Sequence, residues 1–284
     1  MLATAALLVS VAVLSNLLLR DRALEAPEAR LARLAPHWRV VLPEGPGPAP
    51  VAILLSGCDG PGDSMDFWAK ELADVGWASL LLDSHIPRGL DRLQAWRLVC
   101  SGQALSGAER AGDVAVAIAA LDGIEGVDSG RVVLLGASHG AWAAMEMIDR
   151  LGREAPPPGL TAWPESREAA AGRLQAAVFL YPYCGWFNRA AEGEPTHAAV
   201  PVLMVLAGAD TIVSTEDCEA AAERLARAGM AVQTHTLPGV DHGFDQRLHA
   251  VFSTLEFDSK ATMVAAEFVT AFLVAPPAKG TTAP

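Results

Sequence analysis

No cluster of Lys or Arg occurs anywhere in the chain, and basic residues are the minority charge, 21 against 33 Asp and Glu. With a formal charge of −12 and no basic stripe, nothing is available to meet a phosphate backbone, which excludes nucleic-acid binding. A C-x-x-C pair is also missing, and no His or Cys lies at metal-ligand spacing. Neither a metal nor any other cofactor is therefore expected. No internal repeat and no Gly/Ser-rich or charged linker divides the chain. Charged residues make up only 19% while apolar ones reach 51%, so the 284 residues can bury a sizeable core.

The first nineteen residues hold no charged side chain, and Arg20 ends the run. Eighteen helical residues rise roughly 27 Å, close to the thickness of a bilayer's hydrocarbon layer. A signal peptide competes with an anchor, but the basic n-region and a clean A-x-A site are absent. A buried core helix is the third possibility. A retained segment, anchor or uncleaved signal over residues 1–19, with membrane attachment through residues 2–19, is the working expectation. Arg20, Arg22, Arg30 and Arg33 follow the run and by the positive-inside rule would hold the domain in the cytoplasm. Cys58, Cys100, Cys184 and Cys218 argue the other way if they form two disulfides in an oxidising compartment. Four buried free thiols are the plainer alternative. A domain exported and facing the periplasm is the expectation, a cytoplasmic one its rival.

Residues 20–37 read as a helical or irregular connector, 38–275 as one domain and 276–284 as a tail. Apolar, β-branched runs at 38–43, 51–56, 78–83, 131–136, 176–181, 201–207 and 231–237 predict strands. Helical patterns fall near 64–75, 105–124, 139–152, 214–228 and 259–274. Several strand runs are apolar throughout rather than alternating, as strands covered by helices on both faces are. Alternating strands and helices of that kind predict an α/β, doubly wound, mostly parallel sheet. The Pro-bearing stretches 153–173 and 184–200 break the rhythm and read as loops.

Gly136-Ala137-Ser138-His139-Gly140 is a G-x-S-x-G, a weak signal alone in a chain with 25 glycines. Its context strengthens it: the apolar run RVVLL precedes it and the helical pattern AWAAMEMIDRL follows. A sharp strand-to-helix turn holds a serine hydroxyl clear of the sheet, at a helix N-terminus that favours developing negative charge. A tight glycine turn with Ser138 as helix cap is the plainer reading. An acid and a histidine should follow in that order. Asp210, after the apolar strand and the turn of VLMVLAGAD, is the best acid, and His242 in the loop LPGVDHGFD the best base. Asp210 capping the next helix, and His242 as an incidental loop residue, are the plainer alternatives. The backbone N–H groups of His139 and of Cys58, in the glycine-bearing loop SGCDGPG, are the candidate oxyanion donors. Trp96, Tyr183 and Trp186, with Phe187, are candidates to line an acyl or alcohol pocket, ordinary packing being the plainer role. Arg88 and Arg97 are candidates for a substrate carboxylate, against structural pairing to Asp83 or Asp113.

With those residues placed, the chain from about 49 to 273 resembles the dienelactone hydrolase family, in a bacterial branch of esterase-like proteins. The marks are SGCDG, FWAKELADVGWASLLLDS, HIPRG, RAGDVAVAIAAL, VDSGRVVLLGASHGAW, FLYPYC, LAGADTIVSTEDC and LPGVDHGFD. The resemblance implies an α/β-hydrolase fold and a serine hydrolase acting on a small-molecule ester or lactone. Ser138, Asp210 and His242 would form its triad, and the Cys58 and His139 amides its oxyanion hole. It also implies disulfides Cys184–Cys218 and Cys58–Cys100. Two departures stand out. Serine replaces the cysteine nucleophile of the founding members, so lactone specificity does not transfer. Ser56 and Asp59 stand where the branch has the first and fourth residues of H-G-C-G-G, and Asp59 brings a carboxylate near the oxyanion. A rival from another class follows from Asp59 and the apolar segment: a membrane-tethered, catalytically weak or inactive subunit serving binding or assembly. No feature specifies an oligomer.

Overall fold

The computed structural model describes residues 24–192, 200–249 and 253–274. Residues 1–23 and 275–284 lie outside them, and with them fall the expected N-terminal segment and tail. Among the described residues, no helix is long and apolar enough to cross a membrane.

The apolar runs become strands β1 (Arg39–Val41), β2 (Ala49–Leu55), β3 (Ala78–Leu82), β4 (Val127–Ala137), β5 (Leu174–Leu180), β6 (Val202–Ala207) and β7 (Val232–Leu237). They form one sheet in the order β1-β3-β2-β4-β5-β6-β7. Only β1 runs antiparallel, against β3; the other pairings are parallel. The helices are α1 (Pro27–Leu34), α2 (Asp63–Asp74), α3 (Gly107–Ala120), α4 (His139–Leu151), α5 (Arg167–Arg173), α6 (Thr215–Arg227) and α7 (Ser259–Val274). The fold is the expected α/β-hydrolase type, a mostly parallel sheet flanked by helices.

Successive residues of β2 serve opposite faces, as the two-residue period of a strand requires. Val51, Ile53 and Leu55 join one core with α3, α4 and α6. Ala52 and Leu54 join the other, with Met65, Trp68 and Leu72 of α2 and Val269 and Phe272 of α7. Both faces are covered, which explains why these strands read as unbroken apolar runs. A strong cap starts α3: the Ser106 hydroxyl accepts from Glu109 N while the Glu109 carboxylate accepts from Ser106 N, a reciprocal capping box.

One loop expectation changes. The stretch 153–173 ends in α5, whose first turn is capped by Ser166 accepting from Ala169 N; its cap and alanines outweigh the prolines upstream. Within 20–37, α1 is bound to the sheet's helical layer by buried charge. Arg30 donates to Asp113 at 2.8 Å, and Arg88 grips the same carboxylate with two 2.8 Å bonds. Arg88 thus has the structural pairing to Asp113 that was its plainer alternative.

The chain order dictates where chemistry can sit. From β2 the chain moves outward to β3, then returns past β2 to β4 and continues the other way. The loops after β2 and β4 therefore diverge, and the crevice between their carboxyl ends is where such sheets place ligands.

Candidate active site

The turn after β4 carries Ser138. Its backbone has φ 51° and ψ −113°, outside the regions a non-glycine residue ordinarily adopts. That strain is held from both sides: Ser138 N donates to Leu180 O at 2.9 Å, while Ser138 O accepts from Trp142 N and Tyr183 N, each at 3.2 Å. The two motif glycines answer to close approach rather than to positive φ. A Cβ on Gly136 would lie 2.5 Å from the Ala141 nitrogen, and one on Gly140 would lie 2.1 Å from the Leu55 carbonyl oxygen. Helix α4 can therefore start directly against the ends of β2 and β4 only if both are glycine.

His242 reaches Ser138 from the loop after β7. Its Nε2 lies 2.9 Å from Ser138 Oγ, and its Nδ1 lies 2.7 Å from Asp210 Oδ2. An ionised carboxylate only accepts, so Nδ1 carries the proton and Nε2 is free to accept from the serine hydroxyl. The second Asp210 oxygen, Oδ1, accepts from Ile212 N at 2.9 Å and Val213 N at 2.8 Å. Asp210 is therefore fixed by the turn it belongs to, with a side chain only 2% exposed. The neighbouring Asp241 accepts from Thr211 N and His242 N, each at 2.7 Å, tying the two loops together. Those bonds hold its carboxyl below the usual range, though burial works against them.

The comparisons with known proteins bear on this arrangement. Residues 159–275, which carry Asp210 and His242, match the model of the dienelactone hydrolase family. The likeness is to the dienelactone hydrolases. No curated protein sequence matches the chain. A dienelactone hydrolase-like promiscuous phosphotriesterase from metagenomic libraries aligns with TM-score 0.62 and 19% identity, over 84% of this chain and 97% of that one. The apo form of Thermogutta terrifontis esterase 2 aligns at 0.59 and 17%, covering 86% and 91%. Its butyrate-bound form aligns at 0.56 and 18%, covering 87% and 91%. Ser138 precedes the matched segment, so its part in the site rests on the geometry above.

The loop after β2 adjoins the serine. A Cβ on Gly57 would be 3.9 Å from Ser138 Cβ and 3.4 Å from Asp59 Oδ1. Burial pushes the Asp59 carboxyl up, against the opposing pull of Arg92. Cys58 is bonded to Cys100, and Cys184 to Cys218, the two pairs the dienelactone hydrolase likeness implied. No free cysteine remains. Two disulfides suit an oxidising, exported environment.

Of the candidate wall residues, Tyr183 lies beside the serine through its backbone bond and packs on Trp142, with ring centroids 5.1 Å apart. Trp186 is 83% exposed and Phe187 66%. Trp96 lines an open cavity of about 430 Å³ with Arg97, Leu98, Cys100, Ser101 and Gln103. The Cys58–Cys100 bond joins that cavity's wall to the loop beside Ser138.

Two clusters escaped the sequence reading. The Tyr181 and His242 rings meet edge to face with centroids 4.8 Å apart, and the Tyr181 hydroxyl donates to Asp245 at 2.5 Å. Asp245 also accepts from Trp68 Nε1 at 2.6 Å, and burial pushes its carboxyl up. Both residues stood inside quoted motifs, FLYPYC and DHGFD, without a role attached. The second cluster lies behind the loop after β2. The ring of His139 is buried there, with Nδ1 3.1 Å from Arg110 Nη1 and the ring edge toward Trp142. Arg110 and His85 are wholly or almost wholly buried beside it, at 0% and 1% exposure. Burial and the guanidinium hold His139 well below the usual histidine range, and His85 down at about 3. An interior Arg and two neutral histidines have no periodicity to betray them. Among the described residues, no three His, Cys, Asp or Glu side chains converge as a metal would need.

Proposed function

We propose that the protein is a serine hydrolase that cleaves a carboxylic ester or lactone through an acyl-enzyme on Ser138. The observation that carries the reading is the hydrogen-bonded line from Ser138 Oγ through the His242 ring to Asp210. Attack by Oγ on the substrate carbonyl forms the O–C bond as His242 Nε2 takes the hydroxyl proton. The carbonyl oxygen becomes an anion facing the backbone N–H groups of Cys58 and His139, at the start of α4, where the helix dipole favours it. Collapse expels the alkoxide, which takes the proton back from His242. Water then adds to the acyl carbonyl as His242 removes its proton; the Oγ–C bond breaks, Ser138 Oγ takes that proton back from His242, and the acyl group leaves as a carboxylic acid. Asp210 keeps the imidazole in the productive tautomer and stabilises its cation throughout.

Hydrolysis is favoured because the chemistry needs no further group. The names of the fold's neighbours, an esterase with butyrate bound and a promiscuous phosphotriesterase, agree with an ester-directed site. One of the same esterase structures is phosphorylated by paraoxon, which makes organophosphates suitable reagents here. Ser138→Ala should abolish labelling by a fluorophosphonate probe and lower p-nitrophenyl butyrate turnover by at least 10³-fold. The melting temperature should hold, since among the described residues the hydroxyl bonds only to His242. Full esterase activity in that variant would refute the assignment.

A second reading, a weak or inactive site, rests on Asp59. Its carboxylate lies against Gly57, and any negative charge there opposes the oxyanion. Absence of probe labelling in the unaltered protein would favour it.

A further inference from the structure

Behind the proposed oxyanion donors lies a cation that the reaction does not use directly. Arg110 rises from the first turns of α3 with its side chain wholly buried. Its Nη1 donates to the Ser56 carbonyl at 2.8 Å and approaches His139 Nδ1 at 3.1 Å. Those two contacts belong to different walls of the crevice. Ser56 begins the loop after β2, and its carbonyl orients the peptide leading into Gly57 and Cys58. His139 begins α4 and follows Ser138. One nitrogen of one side chain therefore touches both segments whose N–H groups face the developing anion.

We propose that Arg110 is a positioning residue that fixes the two halves of the oxyanion hole relative to each other. The proposal rests on the acyl-enzyme reading and names a residue through which that site is held. No carboxylate lies within ion-pair distance of Arg110 among the described residues. Asp113, three residues on in the same helix, is already bound by Arg30 and Arg88. Arg110 Nε and Nη2 find no hydrogen-bond partner among the described residues. A buried guanidinium so placed is costly, and a well-packed apolar residue of similar volume would suit stability as well or better. What the arginine contributes is geometry. Donors aimed at developing charge work only when held to within a fraction of an ångström. The charge persists at neutral pH, because burial brings Arg110 down only to about 10. Its proximity and burial keep the His139 ring neutral, so that Nδ1 can accept the bond. Tight packing supports the clamp: a Cβ on Gly107, one turn before Arg110, would lie 2.3 Å from the Trp142 ring, so α3 presses directly on α4.

The test compares Arg110→Met and Arg110→Lys with the unaltered full chain, measuring kcat and KM for p-nitrophenyl butyrate and the melting temperature. The methionine variant should keep or raise its melting temperature, keep KM within about twofold, and lose roughly 10²-fold in kcat, the scale of a misplaced oxyanion donor. The lysine variant should recover at least tenfold of that loss, because an ammonium can still donate to Ser56 O. His139→Phe, which removes the other acceptor, should lower kcat but add little on top of Arg110→Met, as two changes to one clamp do. Wild-type kcat in Arg110→Met would overturn the proposal, and so would a lysine variant no more active than the methionine one. So would a loss of activity that only tracks the folded fraction, or full additivity with His139→Phe. If the unaltered protein itself fails to react with a fluorophosphonate or any ester, the acyl-enzyme reading falls. An active parent with an equally active Arg110→Met defeats the clamp alone.

Discussion

Removing the Cys58–Cys100 disulfide should separate stability from catalysis. The bond closes a loop between residues 42 apart in sequence, and the Cys184–Cys218 bond one of 34. Chain-entropy arguments assign each roughly 13 cal/mol/K, or about 4 kcal/mol at 25 °C, because the dependence on loop length is logarithmic. Cys58→Ser/Cys100→Ser and Cys184→Ser/Cys218→Ser should therefore lower the melting temperature alike, by about 8–16 °C for a domain of this size. Their effects on turnover should differ. Cys58 lies in the loop that carries a proposed oxyanion donor, and its partner follows a short helix anchored by the buried Ala95 and Val99. Without that anchor the loop after Gly57 gains freedom, and kcat should fall between 10-fold and 10²-fold with KM nearly unchanged. Cys184 also adjoins the site, through Tyr183, but Asn188 Nδ2 still holds the Tyr183 carbonyl at 2.7 Å. Turnover in the second variant should stay within about threefold of wild type. The assay is p-nitrophenyl butyrate hydrolysis at least 20 °C below each melting point, normalised to sites titrated by a fluorophosphonate. Equal kcat losses in both variants, or none in the first, would refute the reasoning. Mild reductant should reproduce the first result, since Cys100 is exposed while Cys184 and Cys218 are buried.

Gly140→Ala should leave little soluble protein, because its methyl would meet the Leu55 carbonyl at 2.1 Å, whereas Gly172→Ala on the open face of α5 should stabilise by about 0.5–1 kcal/mol; urea midpoints decide both. The unfolded chain protonates His85 near pH 6.5 and the folded chain only near pH 3, so its contribution is full above 6.5 and is lost as pH falls through that window. Stability should decline there by roughly 1.4 kcal/mol per pH unit for this histidine, and His85→Asn should flatten the decline measured by urea unfolding between pH 4 and 6.5. Asp59→Asn should raise kcat several-fold, more at pH 8 than at pH 5, since burial already favours the uncharged carboxyl at low pH. An unchanged pH–rate profile would remove Asp59 from the account of the oxyanion.

What the sequence revealed and what it hid divide along a physical line. The strands of the sheet were legible because Val51 to Leu55 and Val202 to Ala207 must be apolar on both faces, a constraint written directly into consecutive residues. The proximity of Ser138, Asp210 and His242 was legible because each follows the carboxyl end of a strand, and strand order then brings the three ends together. Local signals failed where a short cap outweighed nearby prolines, as at Ser166 before α5. They failed again in the interior behind the site. Arg110 in RAGDVAV reads as the polar position of an amphipathic helix, and His85 as a loop residue, yet both are buried. Nothing along the chain encodes that, because the groups Arg110 meets, Ser56 and His139, are 54 and 29 residues away from it. Seven-stranded topology alone decides that the end of β2, the start of α3 and the start of α4 share one space. The residues most exposed to that ambiguity are the polar ones supporting a site from behind. Their burial is costly, and it is tolerated only where distant strands deliver several of them to one crevice at once.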